Sequence, residues 1–196
     1  MTLSTKSLLL ALSTSLLVMG AHAQASEPNQ SVWEGEVDED GYLELTWQDL
    51  MPEGEEDRLR EMYALQAQEM LRNGQFIAEG GPNDVGVQIG TYNTVAELDG
   101  QKVRLPGYTV TFDFSPGAQI EEFLLVPTLG ACVHVPPPPP NQTVYVETDE
   151  PIAIRDLAQA VWLRGTLVAT TQSTDLADAA YTIILEDVTE YNYRTR

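Results

Sequence analysis

The sequence predicts a mainly β fold: a small five-stranded barrel preceded by an N-terminal helix and an irregular acidic extension. Three observations lead there. Beyond residue 103 the apolar residues fall in short runs, alternating or continuous, separated by turn residues, which is the pattern of strands. Residues 55–72 carry a helical period instead. Residues 26–41 are polar, acidic and without any period. These changes divide the chain into a leader over 1–25, an acidic flexible lead-in over 26–54, a helix and Gly-rich connection packing on the barrel over 55–99, and the barrel domain over 100–196.

The leader has the form of an export signal. Lys6 supplies the positive start, residues 8–18 form an apolar run interrupted only by Ser13, Thr14 and Ser15, and Ala21, Ala23 and Ala25 satisfy the small-residue cleavage pattern twice. Cleavage after Ala23 or Ala25 is expected, releasing a protein into the periplasm. The apolar run is too short to span a bilayer, and no cysteine stands at the cleavage point to take a lipid anchor. No membrane insertion is expected.

Charge narrows the partners. Thirty acids against ten Lys and Arg give a net charge of −20, which becomes −21 when Lys6 leaves with the leader. Neutralising phosphates takes clustered bases, so nucleic acid and anionic membrane surfaces are poor fits. The acidity is uneven: residues 27–99 hold 18 acids and three bases, whereas residues 100–196 hold 12 and six. It belongs to the extension and the helix more than to the barrel.

Within the lead-in, Glu36-x-Asp38-x-Asp40-Gly41 resembles the opening of a calcium loop. Such a loop needs a bidentate Glu at its twelfth position, where Trp47 stands, and no helical pattern flanks the run; a solvated acidic tail is the better reading. The helix follows from Leu59, Met62, Tyr63, Met70 and Leu71 near helical spacing. Glu55, Glu56 and Asp57 lie in its first turn, Arg72 in its last, and Gly74 acts as a stop. Gln66 breaks the apolar stripe and leaves one narrow packing face. Met51, Met62 and Met70 fit core filling better than a thioether copper cluster. Residues 75–93, with Gly80-Gly81-Pro82-Asn83, Gly86 and Gly90, form a long connection lacking the Gly-Lys-Ser/Thr ending of a phosphate loop.

In the first strand Val103 and Leu105 are odd, but after Pro106-Gly107 the apolar residues Tyr108, Val110, Phe112 and Phe114 are even. Such a parity switch predicts a bulge that bends the strand. Ser115-Pro116-Gly117 turns the chain. Residues 120–126 return as a strand apolar on both faces at Phe123-Leu124-Leu125-Val126, hence central and covered twice. A third strand is expected over 143–147 and a helical link over 154–159. The fourth strand carries Val161, Leu163, Leu167 and Ala169 on one side and Trp162, Arg164, Thr166 and Thr170 on the other. The fifth, over 181–188, turns Tyr181, Ile183 and Leu185 inward. Five strands, a bent first one and a helical link before the fourth suggest a barrel of the oligonucleotide/oligosaccharide-binding (OB) type, with an open sheet or half-sandwich as the alternative.

Cys132 is the one cysteine, and His134 the one histidine left once His22 departs with the leader. In an extended strand residues two apart share a face, which puts these side chains together. Three readings follow. One is a packed cysteine beside a hydrogen-bonded histidine. The second is a metal site: Cys132 and His134 ligate zinc or another transition metal, and carboxylates such as Asp113, Glu121 or Glu122, or a partner protein, complete the set. The third is a cysteine nucleophile with a nearby base and Asn141 as orienting group, although no second motif supplies a substrate-reading cleft. Next come Pro136, Pro137, Pro138, Pro139 and Pro140, a polyproline II rod of roughly 15 Å at ~3.1 Å per residue. With Asn141 the rod is either a docking ligand for an aromatic groove or a rigid strap across one barrel end. The strap is preferred because both ends of the rod run into strands.

These stretches carry a resemblance. Leu98-Asp99-Gly100, Val103-Arg104-Leu105-Pro106-Gly107-Tyr108, Glu122-Phe123-Leu124-Leu125-Val126-Pro127 and Gly130-Ala131-Cys132-x-His134-Val135 with the proline run and Asn141-Gln142 resemble an exported bacterial family, DUF3299, a domain of unknown function. Leu45-x-Trp47-x-x-Leu50-x-Pro52 and Trp162-x-x-Gly165 extend the likeness. The resemblance implies a setting more than a chemistry: envelope proteins encoded beside ABC-type transporters, in some bacteria under zinc-responsive control, with no established catalysis. The expected function is a periplasmic, non-enzymatic accessory or binding protein that has an ABC-type envelope transporter as its protein partner and zinc as candidate cofactor at Cys132 and His134. A metal-free structural interaction module is the alternative from another class, and a cysteine-dependent hydrolase comes third.

Overall fold

The structure is a computed structural model and describes residues 36–73, 87–112, 119–131, 136–153 and 160–191. The leader, the start of the lead-in, the turn at Ser115-Pro116-Gly117, Cys132, His134 and the helical link expected over 154–159 lie outside the described residues. The elements are β1 (Leu43–Glu44), α1 (Glu55–Asn73), β2 (Lys102–Thr111), β3 (Ile120–Val126), β4 (Val144–Ile152), β5 (Val161–Val168), β6 (Gln172–Ser173), β7 (Asp178–Ala179) and β8 (Tyr181–Glu190). Short 3-10 turns occupy Trp47–Leu50, Ala96–Leu98 and Pro140–Gln142.

Five strands close into a barrel. β2 pairs antiparallel with β3, β3 with β4 and β5 with β8; β4 runs parallel to β8, and β5 returns antiparallel to β2. Closure depends on β2 serving both ends of the ring: residues 102–107 face β5 and residues 108–111 face β3. The change of partner falls at Gly107. A Cβ there would lie 2.8 Å from Leu125 Cγ and 2.9 Å from the Val126 carbonyl oxygen, so a side chain would wedge the corner open.

The bulge expected at Pro106-Gly107 does not occur, since the register of β2 runs through both pairings without a shift. Odd residues stay on one face throughout. Val103 and Leu105 belong to the interior cluster, and Thr109 and Thr111 stand opposite its Leu125 and Phe123. The even residues Tyr108 and Val110 join a second cluster on the outer face with Leu124, Val126, Ala131, Ala177, Tyr145 and Leu176. The parity change therefore marks where the outside of the sheet becomes covered. Register shifts occur instead between Ile120 and Glu122 and between Arg164 and Gly165.

The same two clusters explain why β3 is apolar on both faces. Phe123 and Leu125 fill the interior, Leu124 and Val126 the outer cluster, and all four are fully buried. Val161, Leu163 and Leu167 of β5 and Tyr181 and Ile183 of β8 point inward as the alternation required. β4 reaches to Ile152, five residues past the end expected from its pattern, because its second half is acidic and carries no apolar alternation.

The lead-in differs from expectation beyond residue 36. Leu43, Leu45 and Leu50 are buried in the interior cluster, β1 pairs parallel with β2, and the Trp47 indole donates to the Pro106 carbonyl at 2.8 Å. Each buried leucine contributes roughly 2 kcal/mol, which holds an acidic segment on an acidic protein. The helix α1 buries only Glu55 and Leu59 and half-buries Met62, Gln66 and Met70, the narrow face expected; Tyr63, Leu65 and Leu71 are exposed. Among the described residues no helix is long and apolar enough to cross a membrane.

Candidate functional site

A run of prolines has carbonyl acceptors but no N–H donors, so its buried stretch must be met by donors from elsewhere. Pro137, Pro139 and Pro140 are buried and Pro136 is exposed. The Gln88 amide donates to the Pro138 carbonyl at 2.7 Å, the Gln142 N–H and the Thr143 hydroxyl to Pro139 at 2.8 and 3.1 Å, and the Ala180 N–H to Pro140 at 2.8 Å. Gln88 also bridges to the backbone of Asp178, donating to its carbonyl and accepting from its N–H, each at 2.8 Å. Gly90 crosses directly over the rod: a Cβ at Gly90 would meet Pro139 Cβ at 2.5 Å. The proline run is a strap clamped between residues 88–91 and the start of β8.

Beneath the strap lies a buried polar cluster. Asn141 is fully buried; its amide nitrogen lies 3.4 Å from Glu55 Oε1, Thr91 Oγ1 and the Asn93 carbonyl, while its Oδ1 has no hydrogen-bond partner. Glu55, the first residue of α1 and 3% exposed, accepts from the Thr91 hydroxyl and, at 3.0 Å, from the Asn93 amide. The helix start, the 91–93 segment and the strap thus meet at one carboxylate. Tyr181 ties in the barrel floor: its hydroxyl accepts from Val95 N–H at 2.7 Å and donates to the Leu50 carbonyl at 2.9 Å. Burial pushes its pKa up to about 12 against the opposing effect of the Val95 N–H.

The predicted site residues separate into two groups. Pro136 through Pro140 and Asn141 are brought together as a strap, and the burial of most of them fits that reading over a docking rod. Cys132 and His134 lie outside the described residues, as does Asp113. Their described flanks are Ala131, buried in the outer cluster, and the strap itself. Glu121 and Glu122 line an open groove of about 490 Å³ with Glu147, Asp149, Glu150 and Glu186. Burial first, then the hydrogen bond to Glu122, pushes the Tyr145 phenol up to about 12. Among the described residues no three Cys, His, Asp or Glu side chains are placed to hold a metal. Sequence reasoning missed Glu55, Gln88, Thr91 and Asn93. The signal was available, since a buried proline run demands donors nearby.

The calcium-like acidic run has another partner. Asp38 and Asp40 both accept from Arg164, at 2.8 and 2.9 Å, and Asp38 also accepts the backbone N–H groups of Asp40 and Tyr42. Burial raises the Asp38 pKa, but the Tyr42 N–H, the Arg164 guanidinium and the Asp40 N–H outweigh it and hold the carboxyl below its ordinary 3.8. Tyr42 donates to Glu186 at 2.6 Å, and Lys102 pairs with Glu186 at 3.0 Å. The run closes a hairpin over the outer face of β2 and β5.

Comparison with known proteins adds a family. The family model described as a protein of unknown function, DUF3299, matches residues 47–190. A crystal structure of a DUF3299 family protein from Pseudomonas aeruginosa PAO1 is similar, at 34% identity and a TM-score of 0.58, over 79% of this chain and 99% of that one. No curated protein matches the chain.

Proposed function

Since the chain belongs to the DUF3299 family, we propose that it is a non-enzymatic accessory protein of the bacterial envelope that is exported to the periplasm and works with an ABC-type transporter. In this reading Cys132 and His134 present a zinc-binding pair to that partner. The observation that carries it is the clamping of the strap. In its support, the described chain on either side of residues 132–135 is anchored: Ala131 is 1% exposed, and the proline rod is fixed by Gln88, Gly90, Gln142 and Ala180. Thiolate and imidazole are a fitting start for zinc, and the missing ligands are left to carboxylates or to the transporter component.

The hydrolase reading gains no support from Asn141, which is fully buried beneath the strap with its amide nitrogen directed at Glu55, Thr91 and Asn93. The metal-free interaction module keeps one specific support: the partner surface need not involve residues 132–135 at all if the charged outer face of β2 and β5 serves. The test is affinity capture of tagged full-length protein from cross-linked bacterial envelopes. Recovery of the mature, leader-less form together with an ABC-type transporter component is expected. A chain that keeps its leader in the cytoplasm, or that captures no transporter component, contradicts the proposal.

A further inference from the structure

The outer face of β2 and β5 gathers every described cation of the barrel. Lys102 and Arg104 alternate on β2, and Arg164 stands on β5 directly opposite Arg104 in the antiparallel register. Like charges set face to face across a pair of strands repel, so this arrangement needs carboxylates to hold it. Those carboxylates come largely from one segment. Asp38 and Asp40 take Arg164, Glu44 takes Arg104 at 3.2 Å, and Glu186 of β8 takes Lys102. Aromatic rings fill the gaps: the Arg104 guanidinium lies 3.9 Å from the Trp162 ring centre, Tyr191 packs on Trp162 at 5.1 Å, and Arg164 and Lys102 lie over Tyr42. Paired guanidiniums beside an indole suit bidentate recognition of carboxylates.

We propose that this face is a recognition surface for a carboxylate-bearing extended segment of a protein partner, and that the hairpin over residues 38–42 is a built-in stand-in for that segment. The stand-in shows the chemistry directly: acids two residues apart straddle one guanidinium, and the strand that follows, β1, adds in parallel to β2 at Val103 and Arg104. Its hold is polar. Residues 38–42 are kept in place by the backbone bonds of the turn, the N–H groups on Asp38, the Tyr42–Glu186 bond and partly exposed ion pairs, whereas the apolar anchoring begins only at Leu43, so a partner segment with the same spacing and additional contacts displaces residues 38–42 without disturbing the core. The overall negative charge opposes encounter at long range but is screened beyond about 8 Å at physiological salt.

The inference rests on the reading that the protein acts through a protein partner, and names that partner's chemistry. The test uses the full mature chain carrying Asp38→Asn, Asp40→Asn and Tyr42→Phe, which loosens the hairpin, and a synthetic peptide of residues 36–42 as probe. Amide chemical shifts are followed by NMR, which detects millimolar binding. Saturable shifts at β5 around Arg164 are expected in the variant, with at least tenfold weaker binding in the unsubstituted protein. They should be lost when Arg164→Met is added or when the peptide carries Asn at both acids. No shifts in the correctly folded variant, or shifts indifferent to Arg164 and to the peptide's acids, overturn the proposal. Peptide binding without transporter capture sinks the envelope-transporter reading and leaves this surface standing.

Discussion

Glu55 shows how little a residue's type reveals about its duty. In the sequence it is one of three acids in the first turn of a helix, where a negative charge favours the helix dipole. In the structure it is the buried acceptor on which α1, Thr91, Asn93 and the strap converge. Replacing it by Ala strands those donors. Glu55→Ala should therefore cost about 3 kcal/mol and Glu55→Gln about 1–2 kcal/mol in urea denaturation, because hydrogen bonds to a charged acceptor are the stronger ones; equal midpoints for both variants and the parent would contradict this. The tyrosines give a second check. Tyr145 and Tyr181 are held near 12, above the ordinary 10, by burial first, so the folded protein keeps them neutral. A pKa raised on folding contributes stability that is whole below pH 10 and drains away as pH climbs toward 12. Phenolate absorbance should show a late component that Tyr145→Phe and Tyr181→Phe each reduce. An alkaline titration unchanged by either substitution would refute it.

Among elements, the strap and the hairpin were legible to different degrees. The proline run announced its rigidity, and its position between two strands announced a strap, but its clamp came from residues 88–93, which showed only as a Gly-rich connection. Gly90 is where the two cross. Gly90→Ala should lose about 2–3 kcal/mol, since neither the added Cβ nor the Pro139 ring can move aside cheaply; a neutral result by thermal denaturation would mean that the strap is loosely seated. The lead-in was misjudged because acids dominate its composition and hide Leu43, Leu45 and Leu50. Asp38, whose burial is outweighed by the Tyr42 N–H, Arg164 and the Asp40 N–H together, and Glu186, chiefly through Tyr42 and Lys102, have pKa values lowered from 3.8 and 4.5. Lowered values mean stability that is present above those ordinary pKa values and lost as pH falls below them. The urea midpoint of the parent should drop between pH 5 and 3 more steeply than that of Arg164→Met. Parallel curves would show that Arg164 contributes nothing to the acid response.

For the whole molecule, the barrel was legible because five apolar runs with turns between them have few ways to bury their faces, and β3, apolar on both sides, had to be central. What escaped was the second covered face. Period alone cannot tell a bulged strand from a straight strand that is covered outside as well as inside, and Tyr108 and Val110 were read the wrong way for that reason. The site was half legible. Cys132 and His134 stand out by rarity alone, while the polar residues that anchor the strap beside them carry no motif. The central proposal is that Cys132 and His134, next to the clamped strap in the sequence, bind zinc. Calorimetric titration of the mature protein with zinc, beside a Cys132→Ala/His134→Ala variant, tests it most directly. The account predicts saturable sub-millimolar binding that disappears in the variant, and identical heats from the two proteins would contradict it.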